Sequence, residues 1–436
     1  MKQRSGFTVP EGSSPHAPRP RVATAAGQLI GRLTCLTCPG SLRLGVRRLL
    51  IHCWIPLIAL LPVLGAASLQ AAPEVSAPAL AQEAQQIADC RARIAVSAPS
   101  IDQACLRRIY SLPISAWPAP HISEGAIWSE LAPLPAKPPE PADNPGTPRK
   151  IALGRKLFED PRLSASGQIA CASCHDRQLG WGDGRSVPFG HDRKPGMRNA
   201  MSVAMSAYAS PLFWDGRAAT LEEQALHPIE DMREMAFTLK QLERRLDRSD
   251  DYPAEFARVF GDRRITSQRI GQALAAFQRT LVPRFNRFDR FLEGRRDLLS
   301  DRQLWGLHLF RTHAGCMNCH SGAALTDNGF HNLGLHFYGR AREDLGRYNV
   351  TGDPADVGRF RTPSLRNVRN TGPWMHTGGF MDLRGVVNLY NVGMPRPTPR
   401  AGQEDDPLFP KTDPLLQPLD LHRTELEAIT EFLQTL

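Results

Sequence analysis

Sustained alternation of apolar and polar residues, bounded by hairpin turns, is missing from this chain of 436 residues. Strand content is therefore expected to be low. Also missing, beyond the N-terminal stretch, is any compact run of Lys and Arg interleaved with aromatics. That absence excludes nucleic acid as a partner, although the formal net charge is +9. Acidic residues are almost absent at the start. Residues 1–48 hold Glu11 against Lys2, Arg4, Arg19, Arg21, Arg32, Arg43, Arg47 and Arg48. Part of the basic balance thus belongs to a segment expected to be removed. What remains, at 42% hydrophobic residues, is enough for two domains with real cores.

The apolar run LLIHCWIPLIALLPVLGAASL, residues 49–69, follows Arg47 and Arg48. Small residues come after it at Ala66, Ala67, Ala71 and Ala72. This fits a leader and secretory signal peptide over 1–72, and so an exported, periplasmic protein. A retained membrane anchor is the alternative. Pro56, Pro62 and the small residues favour cleavage.

The nine cysteines sort by position. Cys35, Cys38 and Cys53 lie in the leader. Four belong to two C-x-x-C-H motifs. Cys90 and Cys105 remain, and in an oxidising compartment a left-over pair reads as a disulfide. It would join short helices over 80–95 and 101–110. Two buried free thiols are the alternative.

An N-terminal extension is expected over 73–140. Its Pro-rich stretch, 112–148, cannot sustain helix and reads as an extended strap. Beyond it, Ile270, Leu274, Phe277 and Leu281 make an apolar stripe at helical spacing, and Leu426, Ile429, Leu433 and Leu436 repeat it. Thr424 with Glu427 predicts a capping box for the last helix. The loops 176–214 and 321–378 are long and rich in Gly, Pro, Asn and Asp. Loops of that length suit a fold wrapped around a prosthetic group.

CASCH occupies 171–175 and CMNCH occupies 316–320. On a helix, Cys at i and i+3 and His at i+4 face one side. Both sulfurs can then bond a haem while the imidazole reaches its iron. A zinc knuckle would need further ligands, and a thiol redox pair does not need the trailing His. The motifs predict two covalent c-type haems, with His175 and His320 as proximal ligands.

The stretches IALGRKLFEDPRLSASGQIACASCHDRQLGWGDG, FWDGRAATLEEQALHPIEDMREM and PSLRNV…GPWMHTGG carry a resemblance to the bacterial dihaem cytochrome c peroxidase family, which includes MauG. It covers roughly 140–436 with both haem motifs in place. The resemblance implies a mainly α fold of two cytochrome c-like domains with a cleft between them. The peroxidatic domain would span 141–285 (haem 1) and the electron-transfer domain 286–436 (haem 2). Glu234 falls at the catalytic carboxylate, and Trp214 at the aromatic between the haems. Gln224 and Pro228 fall in the pocket. Heterolytic splitting of peroxide needs a base that takes a proton from one oxygen and returns it to the other. His191 matches a histidine that caps haem 1 and swings away on activation. Here the family's HGxQxGxRNAPT reads HDRKPGMRNAMS, so an exposed loop histidine beside an already open iron is an equal reading. Asn199 matches a calcium ligand, with Thr371 and Pro373 giving carbonyls. Tyr390 falls where family peroxidases place a methionine on haem 2, and where MauG has tyrosine. Met394 and His376 are the alternative ligands.

The implied function is periplasmic reduction of hydrogen peroxide with electrons from a small cytochrome c or cupredoxin. The alternative is a MauG- or MbnH-like oxidase acting on Trp or another side chain of a partner protein. A non-enzymatic carrier would not need Glu234, Gln224 and Trp214. Family members are often dimers, which implies a homodimer.

Overall fold

A computed structural model of the chain describes residues 77–436 apart from 97, 284 and 285. The leader, its cysteines and the signal peptide lie outside the described residues. Among the described residues, no helix is long and apolar enough to cross a membrane.

Two helix pairs organise the molecule. Pro148–Glu159 packs on Ser267–Gln278, and Asp301–Arg311 packs on Arg423–Leu433. Their starts are chemically defined. Thr147 accepts from the amide of Lys150 ahead of Pro148, Thr266 accepts from Arg269, and Ser300 forms a capping box with Gln303. The two crossings share one device. A Cβ on Gly154 would collide with the carbonyl of Ala273 and with Phe277, and a Cβ on Gly306 with the carbonyl of Ala428 and with Phe432. In each pair a glycine lets one backbone lie directly on the other, beside an aromatic one turn further on.

Apolar side chains gather into two large clusters. One is drawn from residues 153–281, including Leu157, Phe158, Tyr252, Phe256, Leu274 and Phe277. The other holds Phe288, Phe291, Leu304, Phe310, Ile429 and Phe432. Residues of the N-terminal extension, among them Ile94, Leu106, Ile109, Tyr110, Trp117 and Leu131, belong to this second cluster. The extension is therefore part of a core. It begins with helices Ala77–Ile94 and Gln103–Ser111, joined by a Cys90–Cys105 disulfide as the cysteine count suggests. Tyr110 and His308 share a buried hydrogen bond of 3.1 Å, and His308 Nε2 pairs with the Ile94 carbonyl at 2.8 Å.

Strand is scarce, as expected: Phe330–Asn332 pairs antiparallel with Arg359–Arg361 and sets Phe330 opposite Arg361. Some local expectations need correction. The last helix starts two residues before the predicted box. His422 is its N-cap, and Glu425 accepts from the His422 amide at 2.8 Å. Thr424 lies inside the helix and its hydroxyl donates to the Pro99 carbonyl, while Glu427 pairs with Arg302 and Arg423. Leu281 and Leu436 lie just past their helices but remain buried.

Candidate haem sites and the cavity between them

Each C-x-x-C-H motif sits on a short 3-10 turn, Cys171–Ser173 and Cys316–Asn318, rather than within a helix. One further turn is closed by the histidine amide. His175 N donates to the Cys171 carbonyl at 3.0 Å and His320 N to the Cys316 carbonyl at 2.8 Å. The i, i+3, i+4 geometry is thus kept on a single turn.

The imidazoles are oriented alike. His175 Nδ1 lies 3.1 Å from the Trp181 carbonyl, and His320 Nδ1 lies 3.1 Å from the Leu325 carbonyl. A carbonyl at Nδ1 fixes the proton there and leaves Nε2 to bind metal. Burial lowers the pKa of both rings, which keeps them neutral, as ligands must be. All four motif cysteines are free of disulfides. Burial pushes Cys171 and Cys316 up to about 12 and Cys174 up to about 11. Among the described residues neither motif lies in a set of four Cys and His ligands, as structural zinc would need, and neither cysteine pair is joined as a disulfide. Thioether formation is the chemistry that fits.

A cavity of about 840 Å³ is lined by both motifs. It also brings together Trp214, Gln224, Pro228, Glu234, Asn199, Thr371, Pro373 and Tyr390. Glu234 is half-buried, and its pKa is raised to about 7. Burial is the main cause; Asp231 adds to it and Arg217 opposes it. Trp214 Nε1 donates to the Asn199 carbonyl at 3.0 Å, and Asn199 N donates to the His376 carbonyl at 2.7 Å.

Tyr390, on the helix Leu383–Asn391, lines the cavity, and its phenol pKa is pushed up by burial and then by Cys319 and Cys316. Met394 is buried but does not line the cavity. His191 does not line it either. Its amide donates to the Glu234 carbonyl at 2.7 Å, and its Nε2 lies 3.5 Å from Asp192.

Two arrangements escaped the sequence. His376 stacks on Phe360, with ring centres 3.6 Å apart, and meets Trp214 edge-on. It is 4% exposed, and its Nε2 has no partner. An orphaned buried nitrogen in the wall of the cavity is what an absent polar group of a large ligand would satisfy. Arg198 bridges Asp215 at 2.6 Å and Asp344 at 2.6 and 2.7 Å, tying the Trp214 turn to the loop after 321. Its signal was at hand, since Arg198 adjoins Asn199 and Asp215 adjoins Trp214. One further cluster, Cys319, Asp327 and His331, has ligand spacing. Burial would lower the His331 pKa, but hydrogen bonds to Asp327 and Asp413 outweigh it and raise it to about 12. Both ring nitrogens of His331 are engaged, Nε2 with Asp327 at 2.9 Å and Nδ1 with Asp413 at 2.7 Å, and Cys319 belongs to the haem motif.

Comparison with known proteins agrees with this geometry. The profile of the di-haem cytochrome c peroxidase family matches residues 148–297. The cytochrome-c peroxidase IdrP1 of Pseudomonas sp. (strain SCT) is 36% identical over 335 residues, 70% of this chain and 85% of that protein. The chain belongs to the di-haem cytochrome c peroxidase family. The methylamine utilization protein MauG of Methylophilus methylotrophus is 42% identical over 256 residues, 58% of this chain and 75% of its own. Among solved structures, a MauG-like protein associated with microbial copper homeostasis aligns with a TM-score of 0.62 at 32% identity, covering 71% of this chain and 95% of that one. The diheme peroxidase BthA from Burkholderia thailandensis aligns with a TM-score of 0.57 at 26% identity, covering 74% and 94%. Membership in the di-haem cytochrome c peroxidase family makes the chain an oxidoreductase that carries two c-type haems. The family profile begins after residues 77–139, so the extension lies outside it.

Proposed function

We propose that this protein reduces hydrogen peroxide at the haem of Cys171, Cys174 and His175, in the half spanning 141–285. Electrons come from a small redox protein by way of the haem of Cys316, Cys319 and His320, in the half spanning 286–436. Bound haem supplies the iron that takes up peroxide and the electrons that split it. The observation that carries this reading is Glu234: a half-buried carboxylate in the cavity wall with a pKa of about 7. A group so poised can take a proton from one peroxide oxygen and return it to the other as water leaves. Gln224 and Pro228 shape the same wall, and Trp214 lies on the way from one haem to the other. His191 stays out of the cavity wall and gives only its backbone amide, as a hydrogen bond to the Glu234 carbonyl, which suits a loop histidine beside an already open iron better than a gate. The Cys90–Cys105 disulfide and covalent haem both suit the periplasm.

The test is Glu234→Gln in the dihaem protein. Both haems should remain while peroxide turnover falls about 100-fold or more, the usual scale of a lost acid–base group. Turnover at the native rate would remove Glu234 from the chemistry.

Calcium is the further cofactor of this reading. Asn199 gives its amide nitrogen to the Arg185 carbonyl at 2.8 Å, which leaves its amide oxygen for a hard cation, and Thr371 and Pro373, which line the same cavity, would add carbonyls.

Tyr390 favours a second reading, in which the protein draws electrons from a side chain of a partner protein, as a MauG-like oxidase. Tyr390 and His376 both reach the cavity and Met394 does not; of the two, Tyr390 lies near Cys316 and Cys319, whereas His376 is stacked on Phe360 beside Trp214. A phenolate ligand stabilises ferric iron and lowers the haem potential. Tyr390→Met should therefore raise the potential of the second haem in a redox titration. An unmoved potential would exclude Tyr390 as the ligand.

A further inference from the structure

The extension does more at the second haem than fill its core. Residues 121–132 run across the turn that carries CMNCH. His121 N donates to the Arg311 carbonyl at 2.9 Å, and Ser123 N donates to Asn318 Oδ1 at 2.8 Å. Asn318 stands between the two cysteines. Further along, Ser129 N donates to Ser321 Oγ at 3.3 Å, and Gly322 N donates back to the Ser129 carbonyl at 3.1 Å. Ser321 directly follows His320. Glu130 pairs with Arg311 at 2.7 Å, and Arg366 donates to the Ala132 carbonyl at 3.0 Å. Both ends of the attachment motif are thus held by the N-terminal extension.

Among the described residues, no hydrogen bond from the extension reaches the first haem motif. Ser173 accepts from Ala170, and Asp176 bonds to Gly182 and Gln178, all within its own loop. The strap therefore distinguishes the two haems and lies over the one assigned to electron handling.

At its outermost point the strap presents Ile127, 83% exposed, and Trp128, 41% exposed. Exposed apolar residues occur elsewhere on the surface, Phe189 and Met381 among them; what sets Trp128 apart is its place beside the backbone bonds that hold the second haem turn. Trp128 is joined to Ser129 by one peptide bond, Ser129 to Ser321 by one hydrogen bond, and Ser321 to His320 by one peptide bond. A short bonded route thus leads from an exposed indole to the ligand of the second iron.

We propose that Trp128 is the port through which a partner protein passes electrons to the second haem. One electron leaves the redox centre of the partner, a small one-electron carrier, which is oxidised by one unit. The haem bound by His320 is reduced by one unit. No proton moves and no bond is made or broken. The inference rests on the electron-handling role given to this haem under the proposed function.

The test uses the mature dihaem protein without peroxide, so it does not depend on the fate of Glu234. Reduction of the second haem is followed by stopped-flow absorption with two reductants, a reduced small c-type cytochrome and dithionite. Trp128→Ala should slow reduction by the cytochrome about tenfold or more, as expected for truncating a central aromatic contact. The dithionite rate and the midpoint potential should not change, because the strap is held by backbone bonds that the substitution leaves in place. Trp128→Phe should restore part of the cytochrome rate. Three outcomes would overturn the port: an unchanged cytochrome rate, an equal fall with both reductants, or a native protein that dithionite reduces and the cytochrome does not.

Discussion

Glu234 is held where burial and a neighbouring carboxylate act in one direction. Desolvation raises its pKa, Asp231 raises it further, and Arg217 alone pulls it back. The base must be ionised to accept a proton, so turnover should fall as the pH drops through about 7. The same limb should vanish from the pH profile of Glu234→Gln. A profile flat across that range in the native protein would show that another group takes the proton. At this scale the sequence was most informative where chemistry needs a fixed spacing. The two Cys-x-x-Cys-His motifs, Trp214, Gln224 and Glu234 all reach one cavity. His376 was less legible. Its partner Phe360 lies sixteen residues away, and its contact with Trp214 bridges 162 positions; no local pattern encodes either. His191 shows the opposite limit: its motif left a cap over haem 1 and a loop histidine equally open, and only the structure shows that its backbone amide meets the Glu234 carbonyl while its side chain stays out of the cavity wall.

Among the elements, the two helix crossings carry the sharpest prediction. Gly154 and Gly306 each lie against a carbonyl, of Ala273 and of Ala428, with no room for a methyl group. Gly154→Ala and Gly306→Ala should each cost about 1–3 kcal/mol through overpacking. Thermal or denaturant unfolding would measure it, and native-like stability in either variant would mean that the helices separate without penalty. Ser267–Gln278 and Arg423–Leu433 were legible from their apolar stripes, whereas their partners Pro148–Glu159 and Asp301–Arg311 were not singled out. The start of the last helix was not legible. Thr424 and Glu427 have the spacing of a capping box, but tertiary contacts claim both: Thr424 holds the Pro99 carbonyl and Glu427 holds Arg302. His422, a residue with weak capping preference, was left at the N-cap.

For the whole molecule, the oxygen ligands proposed for calcium come from both halves, Asn199 from one and Thr371 and Pro373 from the other. Removing the ion with a chelator should therefore shift the spectra or potentials of both haems together, and restoring calcium should reverse it. A change confined to one haem, or none, would place calcium elsewhere. The low strand content and the haem-wrapped loops could be read from composition. That the extension completes the second core could not, because its Pro-rich strap has no periodicity to show which surface it covers. Its route has a consequence for how the chain folds. Thr424 Oγ1 meets the Pro99 carbonyl at 2.7 Å and Ala98 N meets Glu425 Oε1 at 3.3 Å, contacts that span 325 and 327 positions. The 153–281 core is, in topological terms, an insertion within the other core. It can close around its own nearby contacts, whereas the outer core has high contact order and must wait for residues 423–433 to emerge. During synthesis the 77–134 segment therefore emerges without its partner surface, and the second haem turn is the last to gain its full cover.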